Sequence, residues 1–369
     1  MKRVAASIPL TLAPMEAQLT DELPRDAGWQ FEPKWDGFRC LAFRSGPRIE
    51  LRAKSGKSLS RYFPEVLQRL RSLPHERFVL DGELVIPVGG SLSFDALQMR
   101  LHPAASRIRR LSLETPATLI AFDCLLQPDG TRLLDQPLSI RRAALEAIGG
   151  ALLLSPYTRK RSAAQRWLSR AHGALDGVVA KRIDGPYRSG ERAMLKVKPL
   201  RTADCVVGGF RYAKDSPEVG SLLLGLYNDR GLLDHVGFTA SIGHAQRKTL
   251  TRKLEALRSP PGFSGKAPGA PSRWSNGRSS DWQPLKPRLV VEICYDQVTG
   301  ARFRHGTRLL RWRPDKAPRQ CTLDQLVAEA RPSKLVRQVL QPLNSREAPG
   351  SAAGRSIARL VATPGHVDC

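Results

Sequence analysis

The chain has no apolar run long enough to span a bilayer, and no signal peptide follows its opening MKRVAASIPL. Membrane insertion is not expected. The six cysteines, at 40, 124, 205, 294, 321 and 369, include no two at metal-ligand spacing, so a cysteine-type zinc site is not expected. Nothing suggests a disulfide framework either, and reduced cysteines without an export signal point to the cytoplasm. Acidic residues are scarce: 34 Asp and Glu stand against 59 Lys and Arg, a formal charge of +25. Part of this excess reflects solvated arginines. Its clustering favours a polyanionic partner, DNA or RNA, over a neutral one. The densest cluster is ARFRHGTRLLRWRPDKAPR, residues 301 to 319, with seven basic residues to one acid.

What is present fits two domains in 369 residues. FVLDGELVI (78–86), ATLIAFDCLL (117–126) and LDGVVAKRI (175–183) are apolar, β-rich runs bounded by turn residues. SIRRAALEAIGG reads as a helix with Ser139 as N-cap and Gly149 beyond its end, and Ser162 to Gly173 reads as another. From Ala203 to about Leu326 the texture is strands with one helix, near 244–257, and a Pro-, Gly- and Ser-rich loop at 259–280. A basic β domain with one helix fits a small OB-type barrel. The expected boundaries are a first domain at 1–200, the barrel at 201–330 and a largely disordered tail at 331–369. No internal repeat is evident.

One lysine is oddly placed. WQFEPKWDGFRC sets Lys34 among Trp29, Phe31, Trp35 and Phe38, with Glu32 before it and Asp36–Gly37 after. Either the amine snorkels out of an apolar strand or it is the functional point of the segment. Downstream, LDGELVI places Glu83 and IAFDCLL places Asp123 in apolar strands, where an unpaired carboxylate is costly. Each therefore has a partner, in a structural ion pair or a ligand site. LDGVVAKR repeats the theme with Asp176 and Lys181. MLKVKP sets Lys196 and Lys198 two apart, on one face of a strand. Two such amines line a solvated edge or hold an anion between them, and a triphosphate fits. Together the pieces converge on a nucleotide cleft with a nucleophilic amine.

As an ordered set these stretches resemble the covalent nucleotidyltransferase superfamily of ATP-dependent DNA ligases, RNA ligases and mRNA capping enzymes. EPKWDGFR resembles the first motif, LDGELVI the third, IAFDCLL its aromatic companion, LDGVVAKR the fourth, MLKVKP the fifth and RLLRWRPDK (308–316) the sixth. RYFPE, HPAASRIRRL, RTADCVVGGF, GSLLLGLY and RFRHGT further resemble the bacterial end-joining-repair ligases. The polymerase and phosphoesterase domains fused to some of those have no room here, which implies a stand-alone form. The implied fold is α+β: an ATP-grasp-like adenylation domain of antiparallel sheets with helices, then an OB barrel.

The resemblance implies that Lys34 attacks the α-phosphate of ATP, forming lysyl-AMP; AMP then passes to the 5′-phosphate of a nick, and the 3′-hydroxyl expels it. An amine attacks only in its neutral form, which nearby cations and partial burial favour. Glu32 is implied at the adenine, Arg39 at the ribose, Glu83 at the ribose or a metal, and Phe122 stacked on the base. Lys196 and Lys198 are implied at the α-phosphate, with Arg192 assisting, and Arg311 and Lys316 at the pyrophosphate when the barrel closes. Asp176 stands where a glutamate metal ligand is usual. Lys54 replaces the usual arginine of a basic turn and lacks its bidentate fork; Arg52 is a possible substitute. Mg2+, or Mn2+, is implied as charge shield for the phosphates. Nicked duplex DNA is the implied substrate and a Ku-like end-binding protein an implied partner, with the enzyme a monomer that joins the nucleoid when on DNA. An RNA ligase or capping-like enzyme, and a non-catalytic DNA-binding scaffold, are the rival readings.

Overall fold

The apolar runs become the central strands of two sheets that face each other. In this computed structural model residues 8–169, 175–269, 281–327, 335 and 337–340 are described. ATLIAFDCLL is apolar on both faces and forms Thr118–Leu126, a strand buried throughout its length. It lies inside a five-stranded sheet ordered Arg48–Ala53, Phe38–Ser45, Arg77–Val85, Thr118–Leu126 and Leu153–Leu154, antiparallel except at the last pair. Helices Pro64–Arg71 and Leu138–Ile148 cover it, and their buried Val66, Leu70, Leu145 and Ile148 join its core. Four further strands form a second sheet in the order Ala17–Leu19, Met194–Val197, Leu175–Arg182 and Trp29–Trp35.

The helix in SIRRAALEAIGG starts earlier than its sequence suggests. It spans Leu138–Ile148 with Pro137 at the N-cap, so Ser139 lies inside the first turn. No side-chain cap is needed, because the amides of Leu138 and Ser139 donate to the carbonyls of Gly185 and Ile183. Gly149 does end the helix, at φ 62. The next helix spans Arg161–Ser169, and the remainder of its expected length, 170–173, lies outside the described residues.

From Arg201 onward the strands build a barrel. In space, Leu233–Thr239, Val219–Tyr227, Arg201–Tyr212, Val290–Tyr295 and Arg308–Trp312 follow in that order, which is 3-2-1-4-5 in chain order. A parallel bridge from Thr239 to Thr307 closes the fifth strand onto the third. The helix His244–Glu255 connects the third strand to the fourth and buries Leu254. This is the OB arrangement. Its core is apolar, with Phe210, Leu222, Leu224, Val291 and Ile293 fully buried. The architecture is therefore the two-part α+β one, an adenylation-type unit followed by an OB barrel.

Part of the long loop, 270–280, and most of the tail beyond Val327 lie outside the described residues. Where the tail is described, at 335 and 337–340, it is helical, and Leu340 is buried against Trp35, Val85 and Leu175. Among the described residues no helix is long and apolar enough to cross a membrane.

Candidate active site

Lys34 lies on the Trp29–Trp35 strand, two residues from Glu32 and on the same face. The antiparallel neighbour Leu175–Arg182 sets Gly177 opposite Lys34 and Val179 opposite Glu32; Val179 in turn faces Lys196 on the next strand. Three strands far apart in sequence thus put Glu32, Lys34 and Lys196 on one wall. Gly177 is required there: its φ is +132, and an added Cβ would stand 2.1 Å from the Val197 carbonyl oxygen. The other sheet supplies the opposite wall. Arg39 pairs in register with Glu83, and Phe122 comes from the strand beyond. Between the walls is a cleft of about 190 Å³ lined by these residues together with Glu16, Lys54 and Lys181.

The charges in this cleft are held by specific partners. Lys34 Nζ donates to one oxygen of the buried Asp176 carboxylate, and Lys198 Nζ lies 3.1 Å from the other. Glu32, 2 % exposed, accepts from Lys181 Nζ at 2.8 Å and from Gln30 Nε2 at 2.9 Å. Arg39 donates to both oxygens of Asp81 at 2.6 Å, and the Tyr187 hydroxyl donates to the same carboxylate at 2.6 Å. The Arg39 guanidinium and the Lys181 ammonium lie 4.6 and 4.4 Å from the centre of the Phe122 ring. Lys54 Nζ is 2.9 Å from Glu16.

Two groups in the cleft are electrostatically displaced. Burial pushes the Glu83 carboxyl up to about 7, against the pull of Arg39 and Lys34. Burial, then the neighbouring ammonium groups of Lys34, Lys198 and Lys54, holds the Lys196 pKa below the usual lysine range. Lys198 differs. Burial disfavours its ammonium too, but Asp176 and Asp296 outweigh this and hold its pKa above the usual range.

The structure also separates residues that the sequence left undecided. Asp123 is a structural partner: Arg141, 1 % exposed, donates to both its oxygens at 2.8 and 3.1 Å. The Glu83 carboxylate, in contrast, makes no hydrogen bond or ion pair among the described residues and faces the cleft. Of the two carboxylates expected as metal ligands, Asp176 has both oxygens taken by lysines. No cluster of three or more metal-ligating side chains occurs among the described residues. Lys54 lines the cleft, whereas Arg52 lines a separate cavity and binds Glu50 and the Gly56 carbonyl. Arg192 is largely exposed, 4.0 Å from Glu16, and is not part of the cleft wall. Arg311 and Lys316 are not brought to the cleft: Arg311 pairs with Glu292 at 2.6 Å and Lys316 with Asp204 at 3.2 Å, both within the barrel.

Two family models match the chain: ATP dependent DNA ligase domain over residues 12–198, and ATP dependent DNA ligase C terminal region over residues 215–316. The chain belongs to the ATP-dependent DNA ligase family. This ligase is 45 % identical over 329 residues to DNA ligase C1 of Mycolicibacterium smegmatis, covering 85 % of its own length and 93 % of that protein. It is 43 % identical over 338 residues to DNA ligase C of Mycobacterium tuberculosis, again covering 85 % and 93 %. A solved Lig E DNA ligase shares the fold, with a TM-score of 0.51 at 17 % identity over 81 % of the ligase and 99 % of that chain.

Sequence reasoning named Lys181 and Asp36 only in passing and missed Glu16. Lys181 had a signal, since it follows Gly177 and Val179 at period two and so shares their face. Asp36 had none in its own neighbourhood. Its partners, Arg304 at 2.5 and 2.7 Å and Gln297 at 2.8 Å, belong to the OB barrel of the ligase.

Proposed function

We propose that this ligase seals nicks in duplex DNA through a lysyl-AMP intermediate carried by Lys34. One observation carries the reading. The Lys34 amine stands in a cleft with Glu32 and Lys196 on its own wall and Glu83 and Phe122 on the other. In the first step Lys34 Nζ attacks the α-phosphorus of ATP, the bond to the β-phosphate oxygen breaks, and pyrophosphate leaves. Asp176 orients the amine for this attack. Lys196 and Lys198 offset the phosphate charge, and Lys196 is readier than an ordinary lysine to give up its proton. Glu32 and Lys181 select the base beside Phe122, and Arg39, fixed by Asp81, faces the ribose. Lys54 stands at the phosphate end as a single point charge. AMP then moves to the 5′-phosphate of a nick, and attack by the 3′-hydroxyl releases it.

A divalent cation suits Glu83, the cleft carboxylate without a hydrogen bond or ion pair among the described residues. Mg2+ binds through one or two carboxylates plus water and substrate phosphates, so Glu83 is a sufficient protein ligand. Bound there, the ion would shield the phosphate charge that otherwise repels the nucleophile's electron pair. The excess of basic residues grips duplex phosphates without reading sequence, which suits a substrate whose breaks occur anywhere. The chain's likeness to end-joining ligases makes a Ku-like end-binding protein the expected partner, and a monomer the expected state.

The test is direct. Labelled ATP should leave an acid-labile adduct on the wild-type protein and none on Lys34→Ala, and nicked DNA should then discharge the adduct with sealing. Sealing of RNA nicks but not DNA nicks would overturn the substrate assignment.

A further inference from the structure

The barrel reaches the first unit beside the cleft, at Asp36 and Lys198, through the base of one hairpin. Strands Val298–Thr299 and Arg302–Phe303 pair antiparallel, and Gly300 and Ala301 turn between them at φ 53 and 61. Positive φ at both positions suits a tight two-residue hairpin. The Arg304 amide donates to the Gln297 carbonyl at 3.0 Å and closes the base. Four side chains leave this base. Arg304 and Gln297 reach Asp36, as described above. On the other side, Lys198 Nζ donates to Asp296 at 2.7 Å, and His305 Nδ1 lies 3.0 Å from the same carboxylate oxygen.

The result is a row of alternating charge that crosses from one unit to the other. It runs from Lys34 to Asp176, from Asp176 to Lys198, and from Lys198 to Asp296. Asp296 is the only member contributed by the barrel. Burial alone would raise its carboxyl; His305 and Lys198 outweigh this and hold it well below the usual carboxylate range. Lys198 is equally committed, with only 14 % of its side chain exposed and a carboxylate on each side. To an ammonium group a carboxylate oxygen and a phosphate oxygen offer the same chemistry: an anionic acceptor in a charge-assisted hydrogen bond.

We propose that Asp296 is a positioning residue that stands in for substrate phosphate on Lys198, so that seating the hairpin and binding the ATP phosphates compete for one ammonium group. This rests on the assignment of Lys198 to the ATP phosphates. When the hairpin is seated, Lys198 is neutralised by Asp296 from the barrel as well as by the Asp176 carboxylate it shares with the nucleophile. When it lifts, Lys198 is left with Asp176 alone and takes a phosphate oxygen as its second anion. The pair links two units that are separately folded around their own cores, so its formation reports their relative position and not the integrity of either.

The measurement is the ATP dependence of lysyl-AMP formation by the full chain, with labelled ATP, for wild type, Asp296→Asn, Asp296→Glu and Lys198→Ala. Removing the competing charge should lower KM for ATP about tenfold in Asp296→Asn, as loss of one charge-assisted bond from the competing state implies. The maximal rate should stay within about twofold, and Asp296→Glu should keep a KM near that of wild type. A single-turnover assay starting from preformed enzyme-adenylate should show Asp296→Asn sealing more slowly, because the hairpin has lost an anchor. An unchanged or higher KM in Asp296→Asn, beside a raised KM in Lys198→Ala, overturns the proposal and leaves the phosphate assignment standing. A KM in Asp296→Glu as low as in Asp296→Asn also overturns it, since charge would then be irrelevant. An unchanged KM in Lys198→Ala overturns the phosphate assignment itself, and the proposal with it.

Discussion

Glu32 in the cleft takes Lys181 from a strand 149 residues away, and the two side chains are only 3 % and 5 % exposed. Arg311 on the last barrel strand takes Glu292 from 19 residues away, with 64 % of the arginine side chain in solvent. Both contacts are ion pairs at ordinary distance, yet they differ in kind. The buried pair pays a desolvation cost that only good geometry recovers, and losing one partner strands a charge. The exposed pair is worth under about 1 kcal/mol and exchanges readily with water or another ion. The cleft is therefore built to stay arranged, whereas the basic strand of the barrel is built to change partners. That suits the expectation, carried by the family resemblance, that Arg311 and Lys316 meet ATP only when the barrel has moved.

Breaking the arranged side should have the largest effects. Lys34→Ala should lower lysyl-AMP formation by roughly a thousandfold or more while leaving duplex binding largely intact, measured by adduct formation and by a filter or anisotropy assay. Asp123→Ala strands Arg141, which is 1 % exposed, and should cost about 3–5 kcal/mol in denaturant unfolding. Any protein still folded should form lysyl-AMP normally, because Asp123 does not line the cleft.

The exchangeable side should respond differently. Arg311→Ala should leave thermal stability within experimental scatter, since only an exposed pair is lost. If its partner in the reaction is pyrophosphate, lysyl-AMP formation should fall on the order of a hundredfold, while sealing from preformed adenylate stays within about threefold. Loss of stability without loss of adenylation would erase the distinction between the two regions.

The smallest effect sharpens the comparison within the cleft. Glu83 has a folded-state value of about 7 against an ordinary 4.5. Between these pH values the unfolded chain releases the proton and the folded chain keeps it, so this group's contribution to stability falls as pH rises from 4.5 and levels off above 7. Glu83→Gln lacks that loss. It should melt roughly 2–4 °C above wild type at pH 8 and no higher at pH 4.5. The wild-type rate of lysyl-AMP formation should rise through pH 7 as the carboxylate ionises and becomes available to a cation, a rise absent from the variant.

Strand composition and motif order carried much of the architecture. The apolar runs at 78–86, 117–126 and 175–183 sit within a residue or two of the observed strands, because an apolar run between turn residues has few other solutions. The miss at Ser139 has a physical source: backbone carbonyls of residues 183 and 185 cap that helix, and no local signal announces a cap supplied from elsewhere in the chain. The same holds for Glu83 and Asp123. Both are carboxylates in apolar strands, and the sequence treats them alike. Arg141 decides between them, and its approach depends on how a helix packs.

By itself, then, the sequence determined the candidate nucleophile, the positions of the strands that surround it, the basic character of the barrel and the kinds of side chain the proposed chemistry needs. These follow from local pattern, period two on a strand and a charge that must find a partner, and from the ordered motifs that resemble the family. Only the tertiary structure decided which charge finds which. Asp36 with Arg304, Lys198 with Asp296, and Arg311 held away from the cleft all join or separate residues across two units. Outside a single helix, ion pairing carries no sequence periodicity. An ammonium group takes whichever anion the fold brings within about 3 Å, and that distance is set by the packing of whole sheets and of one domain on another.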